Sequence, residues 1–141
     1  MASTLILAAS APRALADDSQ SANLFAQATA REALLRRDLE SHRAGSSPAP
    51  LLARIRTLAG SYEDLSRLFP TSGYSDDALW HGATLSADAF RAFGELRDRN
   101  TALRLFNGLT ARFPTSSRVK QVPAQIARLQ AAKASPTAKA R

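Results

Sequence analysis

Apolar residues recur along this chain at helical spacing. The clearest run is Leu51, Ile55, Leu58, Tyr62, Leu65 and Phe69, at steps of 4, 3, 4, 3 and 4, which puts all six on one face of a helix. It predicts a helix over residues 49–69. Pro48 and Pro50 suit its first turn, and Phe69-Pro70 ends it because proline disfavours the α conformation in the residue before it. Upstream, Leu24, Ala28, Leu35 and Leu39 predict a helix over 21–44, broken by Gly45-Ser46-Ser47-Pro48. Downstream, Ser75-Asp76-Asp77 offers a cap and two acidic groups for a helix N-terminus. The third helix then runs over 76–96, with Leu79, Gly82, Leu85, Ala89, Phe93 and Leu96 as one inward stripe. Asn100 suits the cap of a fourth, with Ala102, Phe106, Leu109 and Phe113 inward and Pro114 as its stop. A last helix opens at Ser116 or Ser117 and bears Val119, Val122, Ile126 and Leu129. Pro123 lies inside that pattern, so the helix is kinked or begins near Gln121. Residues 20–131 therefore form one helical domain, and 132–141 read as a basic tail or linker.

Composition agrees with an all-α chain. Of 141 residues, 29 are Ala, a strong helix former, and 45% are apolar, enough for one core. With no Cys there is no disulfide, thiolate metal site or thiol nucleophile. No run approaches the ~18 apolar residues a membrane span needs. The net charge of +7 is uneven: residues 101–141 hold eight basic groups and no acidic one. A patch for nucleic acid or an anionic polymer is one reading. A solvated helix face followed by a basic linker is the favoured one, because no aromatic-rich or Gly-rich nucleic-acid motif accompanies the charge.

The N-terminus looks like a secretion signal covering residues 1–16. Leu5-Ile6-Leu7-Ala8-Ala9-Ser10-Ala11 is a short apolar core, and Ala14-Leu15-Ala16 supplies the small residues of a cleavage site before Asp17-Asp18. Met1-Ala2-Ser3-Thr4 lacks the usual basic start, as a start codon placed too far downstream would explain. A periplasmic or secreted location is expected, with the cytoplasm as the alternative.

Two helix ends are near copies: Leu68-Phe69-Pro70-Thr71-Ser72 and Arg112-Phe113-Pro114-Thr115-Ser116. Walking back, Pro70 is preceded by Leu65, Tyr62 and Leu58, and Pro114 by Leu109, Phe106 and Ala102, at identical offsets. This spacing resembles the second helix of a tetratricopeptide repeat. There a small or apolar residue admits the neighbouring helix, an aromatic fills the groove and proline ends the helix. Gly82 falls where the first helix of the next repeat needs a close crossing, although Ala78 and His81 replace the usual Trp and Leu. The two prolines are 44 residues apart, longer than the usual ~34; the extra length is expected as a longer helix and loop around Phe93–Arg99.

The stretch from Arg67 to Trp80, the Phe93-Gly94 and Asp98-Arg99 insertion, and the Leu105-Phe106 to Phe113-Pro114-Thr115-Ser116-Ser117 ending carry a further likeness. They resemble the tetratricopeptide-like region that precedes the catalytic domain of certain bacterial N-acetylmuramoyl-L-alanine amidases. More loosely they resemble repeats of periplasmic envelope-assembly proteins. The resemblance implies a short α-solenoid of about five helices and an association with the cell wall. It does not imply catalysis, because the zinc hydrolase domain of those amidases has no counterpart between Leu51 and Leu129.

The residues themselves point the same way. Zinc hydrolysis needs about three protein ligands and an acid/base carboxylate, whereas the chain has only His42 and His81, on different helices. Asp76-Asp77 is explained by a helix start, and there is no phosphate loop or nucleophile elbow. The expectation is a non-catalytic, cofactor-free module for a protein or peptide partner, with Trp80 and His81 on the third helix as the contact residues. An N-terminal fragment of a peptidoglycan amidase is the alternative; nucleic-acid binding ranks behind both.

Overall fold

The computed structural model describes residues 11–42 and 46–133. Among them are five α-helices, α1 (Ala11–Ser41), α2 (Ala49–Leu68), α3 (Ser75–Phe93), α4 (Leu96–Arg112) and α5 (Val122–Ala131), with a 3₁₀ turn at Ser117–Gln121 before the last. The fold is a small all-helical domain whose helices pack in sequential antiparallel pairs, with α3 pressed against both α2 and α4. Polar bonds also join alternate helices. Arg36 of α1 meets Asp88 of α3, and Arg56 of α2 meets Asp98 of α4, so α1 lies beside α3 and α2 beside α4.

Both Phe-Pro stops have the same geometry. Phe69 (φ −124°, ψ 61°) and Phe113 (φ −130°, ψ 60°) leave the helix identically, their N–H groups donating to Leu65 and Leu109. The chain then turns in register. Ser72 and Ser116 N–H each donate to the preceding Phe carbonyl at 3.0 Å. Their hydroxyls each accept a backbone N–H two residues on, from Tyr74 and Arg118, at 3.2 Å. The likeness of the two segments is therefore conformational, and its cause is the proline that denies the preceding Phe an α conformation. The core pairs follow suit: Leu58 and Ala102, Tyr62 and Phe106, Leu65 and Leu109 are all buried. Pro70 and Pro114 sit exposed in the turns.

Several helix limits differ from the pattern-based expectation. α1 starts at Ala11, ten residues before Ser21, so it runs through Ala14–Ala16; residues 1–10 of the expected signal lie outside the described residues. α3 stops at Phe93 because Gly94 adopts φ 71°, the left-handed cap that glycine takes without steric cost. Only Gly94 and Glu95 separate α3 from α4, so the extra repeat length lies in the helices instead of a loop. α4 accordingly begins at Leu96 and not after Asn100. Leu96 and Leu24, both placed inward by the pattern, are 42% and 39% exposed. α5 begins at Val122 with Pro123 in its first turn, where the missing N–H costs nothing. Of the tail, residues 134–141 lie outside the described residues.

α3 carries two stripes, not one. Ala78, Leu85 and Ala89 join the core of α1 and α2, while Leu79, Ala83, Ala87 and Phe90 join that of α4 and α5. Alanines recur in both because α3 is clamped between neighbours. A Cβ on Gly82 would lie 3.3 Å from Tyr62 Cβ and 3.3 Å from Leu105 Cδ1, so the glycine is where α2, α3 and α4 come closest.

Candidate binding surface

The most densely polar place in the interior is where α1, α2 and α3 meet. Glu32 is only 5% exposed, yet its carboxylate is fully engaged. It accepts Tyr62 Oη–H at 2.5 Å, His81 Nδ1–H at 2.7 Å and Arg36 Nε–H at 2.8 Å. Burial pushes the Glu32 carboxyl up, but the bonds from His81, Tyr62 and Arg36 and the charge of His81 together bring it below its ordinary value. An ionised carboxylate only accepts, so it assigns the proton to His81 Nδ1. Burial and Glu32 together push the Tyr62 phenol far up, keeping it a neutral donor. Arg36 goes on to pair with Asp88 and to reach Thr84 Oγ1 at 3.4 Å. Phe25 closes the cluster, its ring 6.1 Å from Tyr62 and 5.4 Å from His81. The Glu32 carboxylate thus ties α1 to α2 through Tyr62 and to α3 through His81.

The two expected contact residues face different helices. His81 stacks on Tyr62 with centroids 5.4 Å apart, and its side chain is 28% exposed. Trp80 points the other way: its ring meets the edge of Phe106 at 5.6 Å, and the Arg118 guanidinium lies 5.5 Å from its centroid. Successive helical residues are rotated by about 100°, which separates them across α3. His42 packs on Phe93 at 4.9 Å, remote from His81. Asp76 and Asp77 hold the 3₁₀ turn, accepting from Ser116 Oγ at 2.6 Å and Arg118 Nε at 2.8 Å. No group of three His, Cys, Asp or Glu among the described residues could hold a metal ion.

The exposed apolar side chains gather elsewhere. Leu24 (39%), Leu34 (55%) and Leu68 (60%) rim the open side of the α1–α2 pair, and Leu15 of α1 is 69% exposed. Between the rims lie two hollows of about 360 and 230 Å³. The first is lined by Leu34, Leu35, Ala53 and Leu58, the second by Leu24, Ala28, Leu65 and Leu68. They meet at Arg31 and Ser61.

Sequence reasoning missed both Glu32 and this trough. Glu32 stands between Ala28 and Leu35 in the α1 stripe, at i+4 and i−3. A carboxylate on an inward face was the signal that it has a buried partner. The trough could not be seen because a stripe shows which face is apolar, not whether a neighbour covers it. No helix among the described residues is long and apolar enough to cross a membrane. Compared with known families, curated proteins and solved structures, the chain matches none.

Proposed function

We propose that the chain is a non-catalytic, protein- or peptide-binding helical module of the tetratricopeptide-like kind, part of an exported bacterial envelope protein. The observation that carries the reading is the division of labour among side chains. Interior ionisable groups are spent in bonds between helices, as at Glu32 and Asp98, while large apolar side chains stay exposed along α1–α2. Exposed leucines rimming a trough mark an interaction surface. The 44-residue likeness of the two Phe-Pro turns supports the repeat reading.

Export fits the same picture. Cleavage after Ala16 would remove Leu15 and leave Asp17-Asp18 at the new start of α1, where acidic groups favour the helix macrodipole. The anchoring contact at Ser21, whose hydroxyl meets Ser72 Oγ at 2.8 Å, would remain. The amidase reading is favoured by the stretch from Arg67 to Trp80 and needs a catalytic domain outside this chain.

Two measurements test the proposal. Purified chain with added zinc should release no peptide from peptidoglycan, and chelator-sensitive turnover would overturn it. Mature protein made from the longest reading frame should begin at Asp17; a cytoplasmic product still carrying residues 1–16 would remove the export part alone.

A further inference from the structure

We propose that the α1–α2 trough seats one amphipathic helix of a partner protein, and that an acidic side chain on that helix pairs with Arg31. The inference rests on the binding-module reading and names the face and the partner's chemistry. The floor is made of Ala28, Leu35, Leu58 and Leu65, all buried, and the rims of Leu24, Leu34 and Leu68. Leu24 to Leu34 spans about three helical turns, roughly 15 Å. A groove between two antiparallel helices accepts the side-chain ridge of a third.

Charge selects the occupant. Arg31 lies where the two hollows meet and is exposed, and its side chain makes no ion pair or hydrogen bond with a described residue. The other charges nearby are already paired: Arg54 with Asp38 at 2.9 Å, and Asp64 with Arg67 at 2.8 Å. Among the described residues the trough thus offers one unanswered positive charge midway between apolar hollows, which complements a helix with leucine-type residues at i, i+3 or i+4, and i+7 and an Asp or Glu beside them. A second copy fits poorly, because a two-fold axis at the middle of the trough would bring Arg31 beside its own copy. A bilayer fits poorly as well, since its surface cannot enter a trough whose floor lies below the leucine rims.

The test is selection of a phage-displayed library of linear peptides, long enough for roughly four helical turns, on the immobilised full chain, followed by anisotropy titration of the enriched sequence. The expected winners are amphipathic and acidic. Binding should weaken about tenfold or more with Arg31→Glu and disappear with Leu34→Glu, while Lys in place of the peptide's acid should restore binding to Arg31→Glu. Both replaced residues are exposed, and matching thermal melts confirm that the variants fold. No enriched family, or one indifferent to both substitutions, overturns the assignment. A family that binds but is sensitive only to changes elsewhere overturns the trough and leaves the binding-module reading standing. Leu34-dependent dimerisation in sedimentation, or Leu34-dependent flotation with anionic phosphatidylglycerol vesicles and no peptide family, would instead identify the second copy or the membrane.

Discussion

At the scale of single residues, Gly82 and Glu32 decide most. Gly82 costs about 1 kcal/mol in helix propensity relative to Ala, and its place is explained by the 3.3 Å approach of Tyr62 and Leu105 to where a Cβ would be. Gly82→Leu should destabilise by roughly 1–3 kcal/mol through overpacking; an unchanged urea midpoint would contradict the clamp. Glu32 is held below its ordinary pKa by its three donors, so folding favours its ionised form. Its contribution is present above the unfolded carboxylate pKa and is lost as pH falls through the lower folded value. Wild type should therefore exceed Glu32→Gln in stability at neutral pH, with the gap closing in acid. A gap constant with pH in denaturant titrations would show that the carboxylate charge is not what α1 is held by.

At the scale of elements, the two Phe-Pro helices are the test of internal repetition. Tyr62 and Phe106 are both fully buried at matching offsets, so truncating either to Ala should cost about 3–5 kcal/mol. A loss from one only would break the equivalence. These helices were legible because their stripes face one core and their stops are prolines, whose conformational effect is local. The limits of α3 and α4 were not. Asn100 looked like a cap, but the chain reverses at Gly94, where a left-handed conformation ends α3 and lets α4 begin at Leu96. Asp98 then falls in the first turn of α4, buried under a two-pronged bond from Arg56 at 2.9 and 2.8 Å. α3 misled for a related reason: Leu79 and Leu85 belong to different cores, and a single stripe drawn through both hides that the helix is covered on two sides. Trp80 and His81 are adjacent in sequence, and helical rotation turns them toward α4 and α1 respectively.

At the scale of the whole molecule, covered and uncovered helices account for the proposed role. α3 is buried by neighbours on both sides, whereas the α1–α2 pair keeps an open apolar trough with Arg31 midway along it. In the proposed role the chain docks a partner on that side. Photo-crosslinking provides the test: a photoreactive residue replaces Leu34 in the full chain, with the same residue at exposed Lys120 in the 3₁₀ turn as control. One defined adduct is expected from position 34, absent from position 120 and reduced by Arg31→Glu. Equal adducts from both positions, or none from position 34, would contradict it.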